Sequence, residues 1–221
     1  MTIMMGTARR ATPYTTALAL LATLPVRFRT DPSGSAPGLV SSHSDLSGSG
    51  NHATSSGGLR PNNTGAELTF SGAQRLVTAS YSMGARASGA VAFRIDSGAN
   101  VGVFQFGGTN AHHSVLAELS SAKARFISSD NAVPVGYSAP IDLVIAWSAD
   151  ASGGTALING TSSSIPSSSV ASLTDALTMG DLTGSVYPMT GAIYEIIDID
   201  DKISGTDLTT ISDGLRYRWG I

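Results

Sequence analysis

Three carboxylates near the end of the chain are the residues best suited to chemistry. Glu195, Asp198 and Asp200 follow one another in the segment Glu195-Ile-Ile-Asp-Ile-Asp200. Two carboxyl groups about 5 Å apart can serve as nucleophile and acid/base in retaining hydrolysis of a glycosidic bond. Because side chains alternate along a strand, Glu195 is expected to face away from Asp198 and Asp200. The spacing therefore argues against a catalytic pair, and we expect Asp198 and Asp200 to be solvated carboxylates at a strand end.

A second group of oxygen-bearing side chains surrounds the glycine-rich turn Asp45-Leu-Ser-Gly-Ser-Gly-Asn-His-Ala53. Calcium binds several oxygen ligands at once, from carboxylates, amides and carbonyls in loops. Asp45 and Asn51, together with Asp31, could supply such ligands. The same residue types also hydrogen-bond the backbone of their own loop as Asx turns. We favour the Asx-turn interpretation, so no cofactor is expected, and calcium stays as the alternative.

The composition excludes several other kinds of site. The chain has no cysteine, so disulfides and thiolate zinc sites are excluded, and its four histidines lack the spacing of a helical zinc motif. Charged residues make up only 13% and the net charge is -3, which argues against a nucleic-acid-binding face. Lys123 and Lys202 are the only lysines, so no polybasic membrane patch can form. No Gly-x-Ser-x-Gly motif indicates an esterase.

The elements that must position these residues are strands. Alternating apolar residues recur between turn clusters, for example at Val91, Phe93 and Ile95. The segment 142–147 is apolar on both faces and is therefore expected to be a central strand. Asn159-Gly160 predicts a tight hairpin, whereas residues 31–66 are expected to form mostly loop. Because no helical segments lie between the strands, the pattern predicts an all-β, two-sheet antiparallel sandwich.

The two ends of the chain follow different patterns. Residues 1–24 carry Arg9-Arg10 and then an apolar run, which resembles a secretory signal but is interrupted by Pro25. We therefore interpret 1–24 as a short amphipathic arm, with neither a signal peptide nor a transmembrane segment, and 25–221 as the sandwich domain. Residues 204–219 predict a short C-terminal helix, with Leu208, Ile211, Leu215 and Trp219 on one face. We expect this helix to cover an open end or edge of the sandwich.

Several of these segments, in this order, resemble the concanavalin A-like lectin/glucanase superfamily, especially its laminin-G-like modules of phage and bacterial proteins. The similarity covers about residues 25–221 and rests on Val26–Asp31, Asp45–Ala53 with Arg60-Pro61, Leu68–Gly72, Ile158–Gly160, Met179-Gly180, Gly191–Glu195 and Leu215–Ile221. One departure is His43, which stands where such modules usually carry Trp. The resemblance implies a jelly-roll sandwich whose members mostly bind carbohydrate, sometimes with calcium, and in some branches hydrolyse glycans.

Glycan contacts in such a module would combine aromatic rings with polar side chains on loops. The candidates that we place in loops are Asn110, His112, His113, Tyr137 and Tyr187. His112-His113 follows Gly107-Gly108 and is expected at a hairpin tip. Trp147 and Trp219 lie in apolar patterns and are expected in the core.

The resemblance and the lack of a convincing export signal together favour a bacteriophage virion protein. We expect a non-catalytic, glycan-binding head decoration, spike or tail-associated protein that attaches to the host surface. Its N-terminal arm would hold it to other virion proteins or to sister subunits in a homo-oligomer, with no contact to nucleic acid and no membrane insertion. The alternatives are a purely structural capsid decoration protein and a glycan-degrading enzyme.

Overall fold

A computed structural model describes residues 11–33, 36–55, 60–98, 100–107, 113–118, 123–125, 132–134, 138–166, 172–181 and 187–221. Within these ranges the chain forms two helices, α1 (Pro13–Leu21) and α2 (Gly205–Trp219). The strands are β1 (Val26–Thr30), β2 (Gly38–Leu39), β3 (Ser42–His43), β4 (Ala53–Ser55), β5 (Asn62–Asn63), β6 (Leu68–Gly72), β7 (Leu76–Thr78), β8 (Tyr81–Met83), β9 (Arg86–Ser97), β10 (Asn100–Phe106), β11 (His113–Glu118), β12 (Lys123–Arg125), β13 (Ala132–Pro134), β14 (Ile141–Asp150), β15 (Gly153–Ile158), β16 (Thr161–Ile165), β17 (Leu173–Asp175), β18 (Leu177–Met179) and β19 (Met189–Ile199).

The strands form two antiparallel sheets, which confirms the predicted all-β sandwich. The nine-stranded sheet has the order β16-β15-β14-β9-β19-β6-β5-β2, with β1 also paired to β19. The eight-stranded sheet has the order β13-β12-β11-β10-β18-β7-β4-β3, and β8 pairs with β17 in a separate ribbon. The prediction that residues 31–66 form mostly loop is confirmed for the described residues, although four short strands, β2 to β5, lie within this segment. Each of these strands is only two or three residues long, too short to show a period-2 pattern.

The main core lies between the two sheets. Phe93 on β9 and Leu143, Ile145 and Trp147 on β14 are fully buried there, opposite Phe104 and other residues of the eight-stranded sheet. The predicted central position of β14 is confirmed, since it lies between β15 and β9. The predicted hairpin is also confirmed. Asn159 and Gly160 have positive φ angles of 46° and 83° and connect β15 to β16, as a turn with φ > 0 at both central residues requires.

A second core covers the outer face of the nine-stranded sheet, the face that points away from the other sheet. Small and branched residues of that face, such as Ala92, Val144 and Ile197, pack against Leu208 and Leu215 of α2. The predicted C-terminal helix is confirmed, and Ser204 caps it by accepting from the Asp207 N–H. Its expected place at an end or edge was wrong. An apolar outer face must be covered, and α2 covers it.

The helix α1 packs against α2 and is therefore part of the folded domain. Ala17 and Leu21 of α1 are buried. A Cβ built at Gly214 of α2 would lie 2.5 Å from the Cβ of Ala17, so the absence of a side chain at Gly214 allows the close approach. In the part of the chain that the structure describes, neither helix has the length and apolarity needed to cross a bilayer.

Candidate functional site

The predicted loop candidates separate into three groups. Asn110, His112 and Tyr137 lie outside the described residues. Tyr187 is half-buried just before β19, and its carbonyl accepts from the Gly102 N–H at 2.9 Å. The fifth candidate, His113, is described fully.

The expected position of His113 at a hairpin tip was wrong. His113 begins β11, pairs with Phe106 on β10 and is fully buried. Its ring stacks on Phe106, with the centroids 5.4 Å apart. His113, Val115 and Ala117 lie on the same face of β11, and all three are buried. The imidazole therefore points into the core.

Buried polar contacts join the two sheets at Asp198. The His113 Nε2 lies 2.8 Å from Asp198 Oδ1, and the Tyr81 hydroxyl donates to Asp198 Oδ2 at 2.7 Å. Burial, and then the charge of Asp198, raise the pKa of the Tyr81 hydroxyl well above its ordinary value, so Tyr81 stays a donor. The expectation that Asp198 is solvated was wrong, because it is fully buried. Asp200 is also mostly covered and accepts from Arg27 at 2.8 Å.

Glu195 occupies a different network on the opposite side of β19, as strand alternation predicts. It is fully buried below the helices, where Arg29 Nε lies 2.9 Å from Oε1 and the Tyr14 hydroxyl donates to both oxygens. Burial raises the pKa of Glu195 to about 7, and the charge of Arg29 opposes that rise. The guanidinium of Arg218 stacks over Tyr14. Glu195 and Asp198 are thus separated by the sheet and cannot act on one glycosidic bond from a shared cleft.

The side chain of Asp45 organises its own loop. Its carboxylate accepts from the backbone N–H groups of Arg29, Ser47 and Asn51, at 3.0, 2.8 and 3.0 Å. The Asn51 amide donates to the Arg27 carbonyl at 2.6 Å. The contacts of Asp45 with Ser47 and Asn51 lie within its own loop, as the sequence favours, whereas those to Arg29 and Arg27 join the loop to β1. Among the described residues, no three His, Asp or Glu side chains are grouped so as to hold a metal ion.

A polar and aromatic surface remains on the outer face of the nine-stranded sheet, beyond the end of α2. We call it the outer-face patch, and it consists of Glu67, Arg94, Asp96, Asp142, Tyr194 and Trp219. Arg94 and Asp142 are direct cross-strand neighbours on β9 and β14. Tyr194 reaches the same face because β19 has a bulge between Ile193 and Glu195, which turns two successive side chains outward.

Arg94 is the centre of this patch. Its guanidinium binds Glu67 through two nitrogens, at 3.0 and 3.3 Å, and its Nε donates to Asp96 at 2.7 Å. The Tyr194 hydroxyl donates to Asp142 and accepts from Arg94. These carboxylates raise the pKa of Arg94, and burial with the bond to Asp142 raises the pKa of Tyr194. Arg94 therefore stays a cation and Tyr194 a neutral hydroxyl at neutral pH.

The aromatic part of the patch is a stacked pair. The rings of Tyr194 and Trp219 are 5.1 Å apart and inclined by 17°, and both side chains are partly exposed. Trp219 was expected in the core and is only half-buried, packed against the second core on the outer face. Trp147 is fully buried, as expected. The arrangement offers ring surface bordered by hydrogen-bond acceptors.

The sequence does not identify this patch, because its members come from five separate segments. The signal that could have found it is a charged or aromatic residue on the outer side of each neighbouring central strand. Arg94, Asp142 and Tyr194 each have that property. Only the strand order and register bring them together.

The chain matches no protein-family model, and no curated protein matches its sequence. Membership of the concanavalin A-like superfamily thus stays a prediction.

Solved structures share the fold at very low sequence identity. A botulinum neurotoxin type C structure, described as interacting with two ganglioside molecules, aligns over 90% of this chain with a TM-score of 0.65 and 11% identity. The binding domain of botulinum neurotoxin DC in complex with SialylT covers 87% of this chain (TM-score 0.63, 11% identity), and Trypanosoma rangeli sialidase in complex with sialic acid covers 88% (TM-score 0.63, 10%). This chain spans about half the length of the two neurotoxin chains, 53% and 52%, and 33% of the sialidase chain. The likeness shows a common sandwich fold.

Proposed function

We propose that this protein is a non-catalytic glycan-binding module and that the outer-face patch is its binding surface. The observation that carries the proposal is the stacked pair Tyr194–Trp219, bordered by the carboxylates of Asp142 and Asp96. Aromatic rings offer apolar surface to the C–H face of a sugar, and carboxylate oxygens accept hydrogen bonds from its hydroxyls. The neurotoxin and sialidase chains of the same fold are described with gangliosides, SialylT or sialic acid, which supports a saccharide as the ligand class.

The separation of Glu195 from Asp198 favours binding over hydrolysis. A retaining glycosidase needs two carboxyl groups facing one bond, and an inverting one needs them about 6.5–9.5 Å apart around a water. Here the two lie on opposite sides of β19, each buried in its own network. Incubation with polysaccharide is expected to release no reducing ends, and such release would support the glycan-degrading alternative.

A glycan microarray followed by calorimetric titration tests the binding surface. Replacing Tyr194 by Ala is expected to weaken binding by about tenfold or more, as for an aromatic anchor. The matched control is Tyr217→Ala. Tyr217 is 60% exposed and lies two positions from Trp219, on a different side of α2. Equal losses in the two variants would contradict the proposal.

The loop candidates give a second possible binding surface. Asn110, His112, Tyr137 and Tyr187 stay predictions, and Tyr187→Ala is the variant among them whose surroundings are described. A loss of affinity in Tyr187→Ala, with none in Tyr194→Ala, would move the site to that loop.

We further propose that the module is displayed on a bacteriophage particle, as the resemblance to phage modules suggests. Mass spectrometry of purified particles is expected to find the chain at a stoichiometric level. In the alternative, a purely structural decoration protein, particles lacking the chain would lose stability while the purified protein binds no saccharide.

A further inference from the structure

The charges of the outer-face patch indicate which saccharides it can take. Glu67, Asp96 and Asp142 contribute three carboxylates and Arg94 one guanidinium, so these four side chains have a formal charge of -2. The guanidinium of Arg218 lies 4.8 Å from the centre of the Trp219 ring, but it is paired with the mostly buried carboxylate of Asp31 at 2.7 Å and so adds no free cation. The carboxylates of Asp96 and Asp142 are the more exposed ones, and they border the aromatic pair. An arriving ligand therefore meets hydrogen-bond acceptors and negative potential.

An anionic sugar would need a free cation at this surface. The guanidinium of Arg94 is already engaged, since each of its three nitrogens donates to Glu67, Asp96 or Tyr194. The carboxylate of a sialic acid would have to displace Glu67 or Asp96 from Arg94. Otherwise it would approach these two carboxylates with no free positive charge to offset the repulsion. Like charges placed together at an interface disfavour binding strongly.

We propose that the outer-face patch selects uncharged, hydroxyl-rich saccharides and rejects sialylated ones. This inference rests on the proposed function and adds the ligand class. Hydroxyl groups of a neutral sugar donate to the carboxylate oxygens of Asp142 and Asp96, which accept hydrogen bonds and do not donate them. The selectivity is opposite to that expected from the sialic acid and SialylT bound by proteins of the same fold.

The test uses pairs of oligosaccharides that differ only in a terminal sialic acid. The wild-type protein is expected to bind the neutral member about tenfold or more tightly. Asp96→Asn and Asp142→Asn, singly and combined, are expected to reduce that ratio, because both replaced side chains are exposed and each change removes one negative charge. Asp213→Asn on the exposed face of α2 changes the net charge equally and is expected to leave the ratio unchanged. Rising salt is expected to bring the ratio toward one, because it screens exposed charges.

The outcomes separate the inference from the proposed function. Equal or tighter binding of the sialylated member would overturn the inference while glycan binding stands. A ratio that Asp96→Asn and Asp142→Asn leave unchanged would also overturn it. If the wild-type protein binds no saccharide of either kind, the proposed function fails and the inference fails with it.

Discussion

At the scale of single residues, Glu195 shows how burial controls a charge. The carboxyl group is fully buried, and its pKa is raised to about 7 despite the nearby Arg29. The folded protein therefore holds a proton on Glu195 that the unfolded chain has lost, between its ordinary value of 4.5 and about pH 7. Because the folded state binds the extra proton, this group makes folding less favourable as pH rises through that interval.

Replacing Glu195 by Gln is expected to remove this pH dependence. Relative to the variant, the wild-type protein should lose on the order of 3 kcal/mol of unfolding free energy between pH 4.5 and 7. Urea denaturation at several pH values measures the difference. A wild-type protein that gains stability relative to the variant over this interval would contradict the raised pKa.

The buried contacts of Asp198 give a second prediction at this scale. Tyr81→Phe removes the hydroxyl that donates to Asp198 Oδ2 and leaves that oxygen without this donor in the core. Removing a hydrogen-bond donor from a buried carboxylate lowers the free energy of unfolding by about 1–3 kcal/mol. The urea concentration at the midpoint of unfolding should therefore fall. Tyr217→Phe changes an exposed residue in the same way and is expected to have almost no effect. Equal stability of the two variants would show that the Tyr81 contact does not stabilise the sandwich.

At the scale of elements, the contact between α1 and α2 depends on one small residue. The Cβ of an alanine at Gly214 would lie 2.5 Å from the Cβ of Ala17 and 3.2 Å from the carbonyl of Pro13. Gly214→Ala should therefore push α1 away, destabilise the protein by about 1–3 kcal/mol and speed proteolysis near α1. Gly205→Ala, in the same helix, has open space around the new methyl group and should be neutral or stabilising. Faster proteolysis in both variants would point to a general effect on α2.

The elements also show what local sequence can predict. Alternation in β9, the apolar run in β14, the Asn159-Gly160 turn and the capped helix α2 are local patterns, and each predicted its element correctly. Local sequence does not determine on which face of its sheet a polar residue lies. His113 and Asp198 have residue types typical of a surface, but each finds its partner on the other sheet. The outer-face patch was missed because the register of β9, β14 and β19, and the bulge before Glu195, determine it.

At the scale of the whole molecule, the two faces of the nine-stranded sheet have different roles. The face between the sheets holds the core and the buried contacts of Asp198. The outer face of the nine-stranded sheet is covered by the two helices over its apolar part and left polar beyond Trp219. Under the proposed function, a saccharide would bind at the outer-face patch without disturbing the core. Affinity and stability should respond to different substitutions.

The two tryptophans of the chain provide the most direct test of this division. Trp219 belongs to the outer-face patch, whereas Trp147 is fully buried between the sheets. Titration of the protein, carrying ¹³C-labelled aromatic side chains, with the best neutral saccharide from the array should shift the ring C–H resonances of Trp219 in proportion to saturation. The ring C–H resonances of Trp147 should stay in place. Saturable binding that leaves the Trp219 resonances unmoved would contradict the assignment of the outer-face patch as the glycan-binding surface.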